Sequence, residues 1–232
     1  MSIYFRAELY CRFWRNELKN IFIVGGDGFA REVYFHLQNL AECNKEIRFG
    51  GFLGHNGYGC KVDYKDVQHL YIGEVSEYTF RDNDYCIIGA GDSILRKKIY
   101  DDIKSLGGKF WTLIAKGIYL ADSFIYGEAN IFIPPFYSTV NIDIGDGNLC
   151  NGNVSIGHDC KIGNFNTFLP SSCILGNVRV GDYNSIGTNA IILPKAKIGN
   201  HNIICPLSVI YKGCGNNLYM FGNPAIKIGE VK

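Results

Sequence analysis

The sequence has no excess of charge of either sign, because 23 Lys and Arg residues balance 22 Asp and Glu residues and the net charge is +1. No cluster of Lys or Arg compensates, which argues against a nucleic-acid-binding protein that depends on a strong basic field. The nine cysteines form no C-x-x-C pair and their number is odd. Disulfides are therefore not expected, the chain fits a reducing cytoplasm, and small molecules are the expected partners.

Long apolar runs are also missing. Residues 1–20 mix aromatic side chains with Arg6, Glu8, Arg12, Arg15 and Lys19. No stretch there is apolar enough for a signal peptide or a membrane span. We interpret residues 1–20 as an N-terminal extension, either an extra helix or an ordered tail, and we expect no membrane contact and a cytoplasmic location.

A repeat occupies the second half of the chain. Five times, at intervals of 18 residues, a glycine is followed three places later by an asparagine: Gly127/Asn130, Gly145/Asn148, Gly163/Asn166, Gly181/Asn184 and Gly199/Asn202. Aliphatic or small residues recur at every sixth position from 120 to 210, and the remaining sixth positions hold Tyr126, Phe132, Ser138, Cys150 and Phe168. A period of six within 18 predicts a hexapeptide β-helix with three strands and three corners in each coil.

This β-helix predicts the place of each repeated residue. In-register coils stack about 4.8 Å apart, so residues 18 apart lie over one another. We expect the sixth side chains to fill the interior and the asparagines to form a hydrogen-bonded ladder. We also expect Gly and Asn to occupy the sharp corners, including those with positive φ.

The segment before the repeat predicts a different fold. An apolar run at 21–24 ends in a glycine turn and precedes helical spacing from Phe29 to Leu40. Apolar runs at 49–53 and 85–88 follow, and the latter leads through a second glycine turn into a helix from about Ser93 to Leu106. This order indicates an α/β, Rossmann-like domain at 21–115, followed by the β-helix domain with a short C-terminal tail at 116–232.

The two glycine turns are candidate phosphate sites. Each leaves backbone N–H groups at the positive end of a helix, and the candidate residues are Gly25, Gly26, Gly28 and Gly91. The dinucleotide-binding fingerprint is incomplete, because Arg31 stands where its last glycine belongs. Simple turn geometry is the alternative interpretation.

One histidine of the repeat is a candidate catalytic residue. His158 does not occupy an inward position, and the residue 18 places later is Gly176, whose missing side chain leaves space over the imidazole. Imidazole titrates near neutral pH, and the carboxylate of Asp159 can fix its tautomer, so His158 is a candidate general base. Adjacent strand residues face opposite ways, so this pairing requires a bend between the two residues.

Four segments resemble the NeuD/PglD-like sugar acetyltransferases, which combine an N-terminal nucleotide-binding domain with a left-handed β-helix. They are residues 152–194, which include His158, residues 21–33 and 88–103, which include the glycine turns, and the closing motif FGNPAIKI at 221–228. The resemblance implies acetyl transfer from acetyl-CoA to the amino group of a nucleotide-linked deoxysugar, in surface-glycan precursor synthesis. It also implies sites between the subunits of a homotrimer and no metal.

The resemblance also assigns roles to single residues. It places His158 as the base, Asp159 as its acidic neighbour, Asn151 near the sugar amine, and Gly176 at the thioester. Thr167 replaces a second histidine of the family, and His55 and Asn56 stand where paired aspartates often hold the base and ribose. The residues Gly187, Thr188 and Pro206 are candidates for acetyl-CoA binding.

The expected reaction is direct attack of the sugar amine on the thioester carbonyl. His158 would take the proton, and the backbone N–H of Gly176 would stabilise the oxyanion. An O-acetyltransferase of the sialic-acid type is one alternative, since the same residues serve a hydroxyl. A non-catalytic β-helix scaffold is another, since a fold alone does not give a function. A zinc carbonic anhydrase is disfavoured, because the repeat contains two histidines and the zinc site needs three.

Overall fold

A computed structural model describes residues 18–58 and 68–231. The predicted extension of residues 1–20, apart from 18–20, lies outside the described residues. Of the helices within those ranges, none has the length and apolar character needed to cross a membrane.

An open sheet of five parallel strands forms the first part of the described chain. Its strands are β1 (Lys19–Val24), β2 (Ile47–Gly54), β3 (Tyr71–Glu74), β4 (Asp84–Ile88) and β5 (Lys109–Phe110). They lie in the order β3-β2-β1-β4-β5, and every adjacent pair is parallel. Two short 3-10 helices, Gln68–Leu70 and Val75–Glu77, flank β3.

Two α-helices connect these strands, since parallel neighbours need a crossover. Helix α1 (Gly28–Cys43) follows β1, and helix α2 (Ser93–Ser105) follows β4. Both begin directly after a glycine turn, at Asp27 and Asp92, whose carboxylates accept hydrogen bonds from N–H groups of the first turn. The three strands and two helices predicted from the sequence are present, whereas β3 and β5 were not predicted.

From Leu113 onward the chain winds into a three-sided coil. The first face contains β7 (Phe124–Tyr126), β10 (Ile142–Ile144), β13 (Lys161–Ile162), β16 (Arg179–Val180), β19 (Lys197–Ile198) and β22 (Gly213–Cys214). The second face contains β6 (Leu113–Ile114), β8 (Ile131–Phe132), β11 (Leu149–Cys150), β14 (Thr167–Phe168), β17 (Ser185–Ile186) and β20 (Ile203–Ile204). The third face contains β9 (Phe136–Ser138), β12 (Val154–Ile156), β15 (Cys173–Ile174), β18 (Ile191–Ile192) and β21 (Val209–Ile210). An antiparallel hairpin, β23 (Leu218–Gly222) and β24 (Ala225–Glu230), closes the second face.

The register of the coil follows the 18-residue repeat. Ser155 pairs with Cys173, and Cys173 pairs with Ile191, in parallel. The prediction of a parallel β-helix is therefore confirmed, and the architecture is consistent with the left-handed form that the resemblance implies.

The interior of the coil contains the sixth-position side chains, as predicted. Ile156, Phe168 and Ile186 are at most 1% exposed. The prediction is wrong at Tyr126, which is 42% exposed. Tyr126 belongs to β7, the edge strand of the first face, so no further strand covers it on that side.

A second inward position, four residues after the first, was not predicted. It holds small or amide side chains that are buried at every corner of the central coils: Cys160, Asn166, Ser172, Val178, Asn184, Ala190, Ala196, Asn202 and Ser208. Small side chains fit there because the chain turns tightly around them.

The predicted asparagine ladder is present. Asn166 Nδ2 donates to Asn148 Oδ1 at 3.0 Å, and Asn184 Nδ2 donates to Asn166 Oδ1 at 3.0 Å. The prediction that asparagines occupy corners with positive φ is confirmed at Asn141 and Asn177, but it is wrong at the ladder, where positive φ occurs at the residue before each ladder asparagine, such as Phe165. The repeated glycines instead permit close stacking, since a Cβ on Gly163 would lie 2.8 Å from the carbonyl oxygen of the glycine above it.

The sheet and the coil pack directly against each other. Outward side chains of the second face, including Ile131 and Leu149, share an apolar cluster with Ile21 and Val33 of the sheet and helix α1. The chain passes from the sheet to the coil between Phe110 and Leu113. This packing brings the N-terminus of α2 close to the second face.

Candidate active site

The corner that follows the third face brings His158 and Asp159 together. Asp159 has φ of 60°, in the left-handed region, so the backbone turns between the two residues. Asp159 Oδ2 consequently lies 2.7 Å from His158 Nδ1. The bend that the pairing required is therefore present.

Neighbouring coils hold the carboxylate of Asp159. Asn141 Nδ2 donates to its Oδ1 at 3.0 Å, and Arg179 Nη1 donates to the Asp159 carbonyl oxygen at 2.6 Å. The hydrogen bond with His158, followed by that from Asn141, holds the pKa of Asp159 below its ordinary value. An ionised carboxylate only accepts hydrogen bonds, so in the neutral imidazole the proton lies on Nδ1 and the lone pair on Nε2.

The free side of the imidazole faces Gly176. A Cβ built on Gly176 would lie 2.6 Å from His158 Nε2, so the space over this nitrogen exists only because the residue is glycine. The two residues line an open cleft of about 400 Å³ together with Tyr137, Thr139, Ser155, Ile156, Gly157, Ile174, Leu175 and Pro194. The His158 side chain is 56% exposed, so a substrate can approach Nε2 from solvent.

The backbone N–H of Gly176 is a candidate hydrogen-bond donor to a substrate. It donates to no acceptor in the described part of the chain. The same place in other hexads is occupied by Pro170, Pro194 and Pro206, which have no N–H. At the corners after the second and third faces the stacking therefore does not require a donor at this position, whereas at the corner after the first face Asp146 N and Asp182 N donate to side chains of the next coil.

A second cleft, of about 480 Å³, lies between the N-terminus of α2 and the second face. Its lining includes the predicted site residues Gly91, Asn151 and Thr167, together with Tyr183 and His201. It has no lining residue in common with the cleft at His158. Within one chain, the structure therefore separates these three residues from the candidate base.

Arg96 lies behind the lining of this second cleft, bonded to two of its lining residues, and the sequence analysis missed it. Its guanidinium is buried and donates to Gly91 O at 2.7 Å, to Asn166 O at 3.0 Å and to Thr167 Oγ1 at 2.9 Å. Burial lowers the pKa of Arg96 to about 10, so it stays charged at neutral pH. A signal was present in the sequence, because Arg96 precedes the buried Ile99 by three positions on the apolar face of α2.

The first glycine turn is already occupied by a side chain of the protein. Asp27 Oδ1 accepts from the N–H groups of Phe29 and Ala30, and Tyr58 Oη donates to Asp27 Oδ2 at 2.6 Å. These bonds use the donors that a phosphate would need. The predicted residues of this turn, Gly25, Gly26 and Gly28, line neither of the two clefts.

His55 and Asn56 lie at the end of β2. His55 is 4% exposed, and its Nε2 lies 2.7 Å from Asp102 Oδ2 of helix α2. The imidazole therefore links β2 to α2 within the protein. Asn56 takes φ of 50° in the turn that follows.

The predicted acetyl-CoA residues fall on two corners. Gly187, Thr188 and Pro206 follow strands of the second face, as Asn151 does, whereas Gly176 follows the third face with His158. A Cβ on Gly187 would lie 2.5 Å from Pro206 N, so this stack also requires glycine. No group of three or more potential metal ligands occurs within residues 18–58 and 68–231.

The fold and site define a class of architecture, a parallel β-helix with a histidine–carboxylate pair at one corner, preceded by a parallel α/β sheet. No family model matches the chain, and no curated protein matches its sequence. Solved structures do share its fold.

The acetyltransferase domain of PglB from Neisseria gonorrhoeae FA1090 superposes with a TM-score of 0.78 at 19% identity, covering 90% of this chain and 100% of that domain. WeeI from Acinetobacter baumannii AYE gives 0.76 at 22% identity, covering 90% and 100%. A variant of perosamine N-acetyltransferase from Caulobacter crescentus, in complex with CoA and GDP-perosamine, gives 0.76 at 19% identity, covering 91% and 97%.

Proposed function

We propose that this protein transfers an acetyl group from acetyl-CoA to the amino group of a nucleotide-linked amino sugar, in the synthesis of a surface-glycan precursor. The observation that carries the proposal is the His158–Asp159 pair, whose Nε2 faces the glycine gap at Gly176. The shared fold supports it, since the perosamine N-acetyltransferase was solved with CoA and GDP-perosamine, and the PglB domain was also solved with acetyl coenzyme A.

The geometry suits an acyl transfer without a covalent enzyme intermediate. The sugar amine attacks the thioester carbonyl carbon while His158 Nε2 removes the proton of the amine. Asp159 stabilises the imidazolium that forms, because its carboxylate accepts from Nδ1–H. The unpaired N–H of Gly176 lies beside the imidazole and stabilises the oxyanion of the tetrahedral intermediate. Collapse of this intermediate breaks the C–S bond and releases CoA, and the thiolate takes up the proton.

The acceptor belongs in the larger cleft. This cleft lies at the N-terminus of α2, over the buried positive charge of Arg96, and both features favour a diphosphate. We therefore assign residues 21–115 to a Rossmann-like nucleotide-sugar-binding domain and residues 116–232 to a left-handed β-helix acyltransferase domain. The first glycine turn contributes less, because Gly25, Gly26 and Gly28 line neither cleft.

A homotrimer would join the two clefts. The candidate acceptor residues and the candidate base lie on different corners of one coil. In a three-fold assembly in which the corner after the third face of one coil met the corner after the second face of its neighbour, His158 of one protomer would complete the cleft of the next. The separation of the two clefts within one chain supports a site between subunits.

A thiol-release assay tests the proposal. Acetyl-CoA is combined with UDP-, dTDP- and GDP-linked 3-amino and 4-amino deoxysugars, with the wild-type protein, His158→Ala, and His36→Ala on helix α1 as a control outside both clefts. We expect turnover of one amino sugar, a loss of about 10²- to 10⁴-fold in His158→Ala, and wild-type activity in His36→Ala.

The same assay, extended to hydroxyl acceptors of the sialic-acid type, separates the alternatives. Turnover of a hydroxyl sugar but of no amino sugar would replace the proposal with a sugar O-acetyltransferase. A folded protein with no turnover of any acceptor would favour a non-catalytic scaffold.

A further inference from the structure

One amide side chain fixes the candidate dyad from the coil below it. Asn141 lies 18 residues before Asp159, and its Nδ2 donates to Asp159 Oδ1 at 3.0 Å. Its own backbone N donates to Ser123 Oγ at 2.9 Å, and its φ is 57°. Hydrogen bonds therefore connect three successive coils to His158, through Ser123, Asn141 and Asp159.

The two carboxylate oxygens have separate partners. Oδ2 accepts from His158 Nδ1 and Oδ1 accepts from Asn141 Nδ2. The backbone of Asp159 is held independently, by the bond from Arg179 to its carbonyl oxygen. The Asp159 side chain is 43% exposed, so without Asn141 only the bond to the imidazole would oppose rotation of the carboxylate into solvent.

We propose that Asn141 is a positioning residue that selects the Nδ1–H tautomer of His158 by fixing the orientation of the Asp159 carboxylate. The Nε2 lone pair then points at the gap over Gly176, where a base has to act. The role of this tautomer in catalysis rests on the proposed function, whereas the effect of Asn141 on the tautomer does not. The other ionisable or charged groups around the ring in the described ranges are Tyr137 across the cleft, the Cys160 thiol and Arg179.

The imidazole ¹⁵N spectrum of the unliganded protein tests this inference. The variant is Asn141→Gly, because glycine removes the amide and tolerates the positive φ of this corner. The matched control is Asn153→Gly, an exposed corner residue with φ of 63° whose Nδ2 donates to Ser171 Oγ at 2.9 Å. Each variant therefore loses one hydrogen bond that an asparagine side chain donates to the neighbouring coil.

We expect His158 to be protonated at Nδ1 in the wild type and in Asn153→Gly, and to shift toward the Nε2–H form in Asn141→Gly. With an accepted substrate, kcat of Asn141→Gly should fall about three- to tenfold at unchanged KM. An unchanged tautomer in Asn141→Gly overturns the inference, as does an equal shift in both variants. A shifted tautomer in a protein without acetyl-transfer activity would uphold the inference and remove the proposed function.

Discussion

Replacing Gly176 with alanine should remove most of the activity while leaving the chain folded. The new Cβ would lie 2.6 Å from His158 Nε2, whereas ordinary contact begins at 3.4 Å, so the imidazole must retreat by 3.4 − 2.6 = 0.8 Å or more. A displacement of about 1 Å in a reacting group costs about 100-fold in rate. We therefore expect kcat to fall about 100-fold, which corresponds to about 2.7 kcal/mol of transition-state stabilisation.

The stability of Gly176→Ala should change little. The His158 side chain is 56% exposed and can rotate into solvent to relieve the contact. A surface change of this kind alters the unfolding free energy by about 0.5 kcal/mol, which corresponds to about 1 to 2 °C in Tm. Gly152→Ala is the matched control, because Gly152 occupies the same place in its hexad and its Cβ would meet no atom closer than 3.4 Å.

Thiol release with acetyl-CoA and the accepted sugar measures kcat, and scanning fluorimetry measures Tm. Gly152→Ala should retain wild-type values of both. Wild-type kcat in Gly176→Ala would refute the argument that His158 needs the space beside Gly176 to act as a base. A large drop in Tm would show instead that the coil itself cannot accept the Cβ.

Three further outcomes follow from contacts described above. Arg96→Met should lower the unfolding free energy by about 3 kcal/mol, because it leaves buried oxygen atoms without donors; an unchanged urea midpoint would contradict this. Asn166→Ala should cost about 2 to 4 kcal/mol, because it removes two donated bonds and leaves the backbone N–H of Asn184 without its acceptor; urea unfolding also measures this loss. The pKa of Asp159, lowered chiefly by His158, should rise toward its ordinary value in His158→Ala, which ¹³C carboxyl titration detects. Because the folded pKa is depressed, the contribution of Asp159 to stability is present at neutral pH and is lost as the pH falls through that value.

The coil was predictable because the 18-residue repeat of its sequence is also the repeat of its structure. Residues 18 apart stack directly, so the buried Ile156 and Phe168, the asparagine ladder and the position of Gly176 over His158 all follow from counting along the sequence. Tyr126 was mispredicted because counting does not reveal where the stack ends.

Contacts between distant segments were less accessible to sequence analysis. Arg96 reaches Asn166, 70 residues later in the chain, and periodicity carries no information about such a pair. Asn141 stacks with Asp159 by simple counting, but its hydrogen bond depends on left-handed corners in both coils. His55 shows the converse limit, because the family resemblance suggested a ligand contact there, whereas the fold places its imidazole against Asp102.

The left-handed corners have a consequence for how such a protein changes over time. In the coil, positive φ occurs at asparagines such as Asn141 and Asn177, which tolerate it, but also at Phe165, Lys195 and Leu207. The stacked coils above and below hold the backbone at these places, so residues without a preference for positive φ are also accepted there. These corners recur at fixed spacing along the coil. One substitution there can therefore replace an acidic side chain with an aromatic or basic one while the backbone conformation around it is kept.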